Sequence, residues 1–295
     1  MPRFEPNPQR RPVIVAGASS GIGEASAEAL AALGHPVALG ARRVEKCEAI
    51  AERIRAAGGT AFVYPLDVTS TESVDAFVHA AEEANGPTEI LVSGAGDIEF
   101  ALIDEMDPER FLHQVQVHLV GQHRMTHRVI AGMLERRRGD IVIISSDCAP
   151  IPRPRTGAYS ASKAGVEAFG QQLRMELEGT GIRASLVRPG PTQTAMGSTA
   201  HAEVVGPLLD DWVRWGFARH PYLLRASDMA AAVVAVATAP RGVHMALVEV
   251  QPEAPLRERP AAEPPVDTAA EPPVDTAAEL PVQAAAEPAE AGAVS

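Results

Sequence analysis

Cysteine is nearly absent: Cys47 and Cys148 are the only two in 295 residues, too few for a disulfide framework. Nothing after Met1 has the form of a basic segment followed by an apolar stretch, so no export signal is expected. These two absences point to the reducing cytoplasm. Long hydrophobic runs are also missing, for the most apolar stretch, residues 229–239, is alanine-rich and about half of the ~20 residues that span a bilayer. Positive charge is in deficit. A net charge of −12 and a pI near 5.2 have the wrong sign for a nucleic-acid backbone or an anionic membrane surface. Neither partner is expected.

What the chain does have is ordinary globular material, 46% hydrophobic and 22% charged, enough to bury a sizeable core. That composition ends at Pro252. From Ala261 an eight-residue unit runs AAEPPVDT, AAEPPVDT, AAELPVQA, with prolines that interrupt helix and few large apolar groups to repay ordering. The period is too short for a solenoid repeat, and nine acidic residues stand against Arg257 and Arg259. Residues 252–295 are therefore expected to be a disordered acidic tail. Residues 1–12, with prolines at 2, 6, 8 and 12, are expected to be a short flexible arm.

Between these ends, residues 13–251, short apolar runs alternate with helical patterns. Residues 13–16, 37–40, 61–66, 90–93, 141–145, 184–187 and 246–250 have the character of strands, and 22–33, 44–57, 73–84, 108–137, 158–178 and 227–237 that of helices. Near-continuous apolar strands separated by helices predict a doubly wound α/β domain, a mostly parallel seven-stranded sheet covered on both faces.

The first strand leads into Gly17-Ala18-Ser19-Ser20-Gly21-Ile22-Gly23 at the start of a helix. Glycines let the backbone turn tightly and approach a pyrophosphate, and the helix start supplies free amides and a positive dipole end. At the end of the second strand, where an NAD site usually places a carboxylate for the ribose 2′-hydroxyl, stand Arg42 and Arg43. A guanidinium fork suits a 2′-phosphate, so NADP(H) is favoured; the competing possibility is a pair of solvated arginines. Asp67-Val68 follows the third strand, placed either to meet an adenine ring or, through Asp67, to cap the next helix.

The fifth strand ends in Ser145-Ser146, and thirteen residues after Ser146 comes Tyr159-Ser160-Ala161-Ser162-Lys163. Four residues apart on a helix, Tyr159 and Lys163 share a face, where an ammonium would favour the phenolate and bring the tyrosine toward working range. Taken together, AGASSGIG, Ser146, YSASK and Pro189-Gly190 with Thr194 resemble the short-chain dehydrogenase/reductase family over about residues 13–251. The resemblance implies a Rossmann fold and hydride transfer between nicotinamide and a carbonyl or secondary alcohol. It implies that Ser146 polarises the carbonyl, Tyr159 is the general acid/base, and Lys163 tunes Tyr159 and holds the nicotinamide ribose. It further implies cofactor contacts from Gly17, Ser19, Ser20, Gly21, Ile22, Gly23, Gly94, Pro189, Gly190, Thr192 and Thr194, and a homodimer or homotetramer built partly from the helices carrying His118 and Tyr159.

Three positions depart from the family pattern. Ala16 replaces a threonine whose hydroxyl ties the glycine loop. Ser93-Gly94 stands where an asparagine is usual, a change that could loosen the sheet. His118 replaces the asparagine of the catalytic set; its carbonyl could hold the relay water, its imidazole could pass protons, or it could simply fill the site. His113, His123 and His127 share its helical segment without a matching cysteine or carboxylate cluster, and no metal is expected. Cys148 lines a loop or is a reactive thiol.

Substrate contacts are expected at the carboxyl ends of the strands, from residues 97–100, 150–155 and 196–224. Trp212, Trp215 and Phe217 suit an apolar lid or a subunit interface, and Arg153 and Arg155 either attract an acidic substrate or are exposed. The sequence thus predicts an NADP(H)-dependent oxidoreductase. The alternative is a cofactor-binding regulator or scaffold, weakened at Ala16, Ser93 and His118, whose tail recruits a partner.

Overall fold

A computed structural model describes residues 5–194 and 202–256. The expected tail lies almost wholly outside the described residues, as do residues 1–4 and 195–201. The contacts of the chain divide between Ala254 and Pro255.

The main sheet has seven parallel strands. They are β1 (Val13–Ala16), β2 (Val37–Ala41), β3 (Ala61–Pro65), β4 (Ile90–Ser93), β5 (Gly139–Ile144), β6 (Ile182–Pro189) and, after two short strands described below, β9 (Leu247–Val250). Their order is β3-β2-β1-β4-β5-β6-β9, so the winding reverses between β1 and β4. A crevice opens at that reversal, outside the carboxyl ends of the strands.

The period of two along each strand sorts side chains between two apolar layers. Val13 and Val15 of β1 join a cluster with Leu30 of α1 (Gly21–Ala32), Ile50 of α2 (Val44–Ala56) and Val233 of α8 (Ala226–Ala237). Ile14 and Ala16 face the other way, toward Phe77 of α3 (Thr71–Asn85), Met125 of α5 (Gly121–Arg136) and Val166 of α6 (Gly157–Glu176). Both faces are covered, which is why the central strands β1 and β2 carry no polar side chain and β4 only Ser93.

Where one long helix was expected over 108–137, the chain forms α4 (Pro108–Val115), a π-helical turn (Gln116–Val120) and then α5. Asp107 starts α4 by accepting from the amide of Glu109 at 2.8 Å, with Pro108 in the first turn. The π-turn at 116–120 places His118 inside the fold. Single π-turns of this kind are frequent at functional sites.

The expectation of a flexible arm over residues 1–12 fails at its inner end, where Arg11 is 1% exposed. Its guanidinium pairs with Glu89 at 3.1 Å, with Asp140, and with the carbonyl of Ala237 at 2.9 Å; Arg183 meets Asp140 at 2.6 Å. These groups lock the amino ends of β1, β4, β5 and β6. Breaking one such buried pair costs about 3–5 kcal/mol, because the partner charge is left buried. The proline spacing pointed to a flexible arm and gave no sign of the charge that anchors its inner end.

Two short strands were not expected. β7 (Thr192–Gln193) pairs with β8 (Leu224–Arg225) and closes the neck of the segment between them, which carries α7 (Ala202–Arg214).

Candidate active site

The glycine loop connects β1 to α1. Gly17 and Gly21 hold φ of +86° and +61°, and a Cβ on Gly17 would lie 2.7 Å from the Ala95 backbone. A side chain on Gly23 would strike the Gly17 carbonyl at 2.3 Å. The loop is therefore drawn tight against β4 and the start of its own helix. Ser20, at the start of α1, makes no capping bond, so no hydroxyl occupies the first-turn amides. Those free amides and the helix dipole suit a phosphate.

The change at Ala16 leaves a backbone tie in place: its carbonyl accepts from the Gly94 amide at 3.0 Å. The Ser93 carbonyl accepts from Gln122 Nε2 at 2.9 Å. Gln122 is a contributor that sequence reasoning missed; its signal is its place four residues after His118, on the same inward helix face.

The two arginines after β2 part company. Arg43 Nη2 donates to Ser19 Oγ and Ser20 Oγ, each at 2.9 Å, so it braces the glycine loop. Arg42 is exposed. Asp67 accepts from the amide and hydroxyl of Thr69 at 2.9 and 2.7 Å, forming a turn, while Ser70 caps α3. The capping alternative for Asp67 is thereby removed. Val68 packs close to Gly121, where a Cβ would come within 2.8 Å, and its carbonyl accepts from Arg124 at 3.2 Å.

Past β6, Thr192 Oγ1 donates to the Gly190 carbonyl at 2.8 Å, and the Pro189 carbonyl accepts from the Asp147 amide at 2.9 Å. Thr194 stands beside Gly21, whose Cβ would approach it to 3.1 Å. Loops distant in sequence thus converge at the glycine loop. Ile22 lies at the same helix start, packed against the first apolar layer.

At the carboxyl end of β5, Ser146 is buried beside Tyr159 and Lys163 of α6. Lys163 Nζ donates to the Ile144 carbonyl at 2.8 Å and lies 5.7 Å from the centre of the Tyr159 ring. Burial lowers the Lys163 ammonium to about 8. Burial also drives the Tyr159 phenol upward, with Cys148 adding to the rise and a hydrogen bond with Ser146 opposing it. Desolvation, rather than the expected ammonium effect, sets the direction of the Tyr159 shift. His118 lies edge-on to Tyr159, ring centres 5.2 Å apart, and its Nε2 meets the Asp97 carbonyl at 2.5 Å.

Behind this face, Ser145 Oγ donates to Glu167 Oε1 at 2.7 Å, and Arg188 binds Glu167 and Glu249, both at 2.7 Å. Glu167 follows Lys163 by one helical turn and straps α6 to β5, β6 and β9.

The substrate-side expectations are revised. Arg153 is neither free nor exposed: it forms a fork to Asp147 at 2.9 and 2.5 Å, touches Cys148 Sγ at 3.1 Å and stacks over Trp212 at 5.1 Å. Arg155 reaches Glu105 at 3.3 Å. Burial raises the Cys148 thiol, which disfavours the reactive thiolate. Trp212 and Phe217 pack inward, with Phe100 edge-on to Trp212 at 6.2 Å, while Trp215 is 68% exposed. The three aromatics therefore do not act as one lid. His123 and His127 stack on α5 at 5.7 Å, with His123 6.0 Å from the ring of Phe169. Among the described residues no helix is long and apolar enough to cross a membrane.

Comparisons with known proteins agree with this architecture. The chain is 36% identical over 240 residues to glycine betaine reductase ATRR of Emericella nidulans, a match covering 81% of this chain and 18% of that protein. The chain thus spans under a fifth of that relative's length. Among solved structures, an alcohol dehydrogenase of the archaeon Thermococcus sibiricus with 5-hydroxy-NADP superposes with a TM-score of 0.70 at 27% identity, covering 82% of this chain and 96% of that one. An actinorhodin polyketide ketoreductase variant with NADPH gives 0.74 at 31% identity, over 81% and 95% of the two chains. The family model described as short chain dehydrogenase matches residues 11–204, and with the glycine loop, the parallel sheet and the tyrosine–lysine helix in place, the chain belongs to the short-chain dehydrogenase family.

Proposed function

We propose that the protein is an NADP(H)-dependent oxidoreductase acting between a carbonyl and a secondary alcohol. The observation that carries this reading is the gathering of Ser146, Tyr159 and Lys163 at the carboxyl end of β5, beside the crevice where the winding reverses. The glycine loop fits the cofactor: two positive-φ glycines, first-turn amides without a capping hydroxyl and Arg43 braced on two serines form a phosphate cradle. Exposed Arg42 suits a 2′-phosphate, and the solved relatives bound to NADP-type cofactors agree with that preference.

A nicotinamide cofactor held at this crevice would supply or accept the hydride. Ser146 holds the substrate oxygen, and Tyr159 gives it a proton in reduction or takes one in oxidation. Lys163, fixed by the Ile144 carbonyl, holds the ribose and stabilises the phenolate once cofactor and substrate are in place. Asp67, Val68, Gly94, Pro189, Gly190, Thr192 and Thr194 line the remainder of the proposed cofactor site. Arg153 is already neutralised by Asp147, which favours uncharged substrates over acidic ones. The regulator reading is not favoured, since the reactive residues are kept together and backbone or Gln122 ties serve at Ala16 and Ser93.

Copies of the chain are proposed to pair through α5 and α6, and two free, buried thiols suit the cytoplasm. The test is NADPH oxidation by purified protein against a panel of ketones and aldehydes. Tyr159→Phe should abolish turnover, by about a hundredfold or more, while leaving NADPH affinity within about twofold. Full turnover in that variant sinks the mechanism, and a wild type that binds NADPH yet reduces nothing returns the regulator reading.

A further inference from the structure

His118 is wholly buried in the π-turn, with Nε2 2.5 Å from the Asp97 carbonyl oxygen. The Asp97 amide also points at Nε2, from 3.2 Å, and would donate to a bare ring nitrogen; two lone pairs facing each other at 2.5 Å repel more strongly than two N–H groups at 3.2 Å, which places the proton on Nε2, donated to the carbonyl. The other ring nitrogen, Nδ1, is buried and finds no hydrogen-bond partner among the described residues. A proton on it would create a cation facing Lys163 and Tyr159 of α6 and His113 of α4, while the Asp97 carboxylate is turned to the Ile98 amide at 2.8 Å. Burial first, and then Lys163, depress the imidazole to about 3.

We propose that His118 is a positioning residue: a neutral latch whose Nε2–H fixes the Asp97 carbonyl, and with it the substrate-side segment 97–100, and whose ring carries no proton in the reaction. A peptide carbonyl is no proton sink, so the Nε2 proton has nowhere to go and the ring cannot pass one through. The latched segment continues to Phe100, edge-on to Trp212, and to Ala101, which bridges Thr156 beside the tyrosine helix. The latch therefore joins the π-turn to the lip of the crevice. An asparagine side chain reaches only as far as Nδ1 and cannot make this bond, whereas glutamine places an amide N–H at the reach of Nε2 and does not titrate.

The substrate arm of the test rests on the proposed oxidoreductase reading; the other two arms do not. In the full chain, nitrogen NMR should find His118 as the neutral Nε2–H form from about pH 5.5 to about pH 8.5. Amide exchange over residues 97–101 should quicken about tenfold or more in His118→Asn and stay within about twofold of wild type in His118→Gln. With NADPH and 4-nitrobenzaldehyde as the probe, His118→Asn should raise KM about fivefold at little cost to kcat, and His118→Gln should keep wild-type KM and pH profile. An imidazolium or an Nδ1–H form in that range, exchange in the glutamine variant as fast as in the asparagine variant, or a shifted pH profile in His118→Gln would overturn the latch. If 4-nitrobenzaldehyde is not turned over at all, only the reading of that carbonyl as substrate fails, and the spectra and exchange still decide. Should His118→Asn not fold, the wild-type spectrum and the glutamine variant decide alone.

Discussion

Lys163 and His118 are both buried bases whose charged forms are disfavoured, and each makes stability depend on pH in its own window. Lys163 titrates near 8 in the fold and near 10.5 in the unfolded chain, so between those values the unfolded chain holds more protons and stability rises with pH. Unfolding midpoints measured without cofactor from about pH 7.5 to about pH 9.5 should climb, by on the order of 2 kcal/mol in free energy, and the climb should vanish in Lys163→Met. His118 gives an acid limb: its folded value near 3 lies below the ordinary 6.5, so stability falls as pH drops below 6.5. At the proposed cofactor site, exposed Arg42 and braced Arg43 separate by role. Arg42→Ala should weaken NADPH binding about tenfold or more at fixed salt with little effect on NADH, as expected for loss of a charged phosphate contact. Equal losses for both cofactors would remove the 2′-phosphate assignment.

Among the elements, the tyrosine helix depends on a strap that does no chemistry. Glu167 holds Ser145 and Arg188 at once, so Glu167→Ala leaves Arg188 with only Glu249 and releases α6 from the strand end that bears Ser146. The expected result is a loss of about 3 kcal/mol of stability together with a fall in kcat, whereas NADPH affinity changes less; denaturant titration and steady-state kinetics measure both. This strap shows what the sequence conceals. Strand and helix identities were legible because burial on both faces leaves apolar runs, as in Val13–Ala16 and Ile90–Ser93. The pairing of Tyr159 with Lys163 was legible because one helical turn fixes their spacing, and Ser146 from its place just past an apolar strand. Partners far apart along the chain were not: nothing local marks Glu167 as the mate of Arg188, or Arg11 as buried. The π-turn was invisible for a related reason, since its residues differ from those of an ordinary helix only in what they contact.

For the whole molecule, the change in composition at Pro252 and the division of contacts after Ala254 mark nearly the same boundary. We propose that residues 257–295 are dispensable for the fold: a chain ending at Leu256 should unfold within about 2 °C of the full chain and bind NADPH with unchanged affinity. A larger loss of either would show that the tail packs on the domain. The opposite end behaves differently, because Arg11 ties the ends of β1, β4 and β5 together, and β6 joins them through Arg183 and Asp140.

The protein also has only two tryptophans, and they sit in opposite surroundings: Trp212 is enclosed beneath Arg153, and Trp215 is 68% open to solvent. Trp215→Phe therefore leaves a single indole emitter, shielded from water and joined through Arg153 and Asp147 to the loop that carries Ser146. Its fluorescence should then report entry of a reduced nicotinamide into the crevice in real time, without an attached dye.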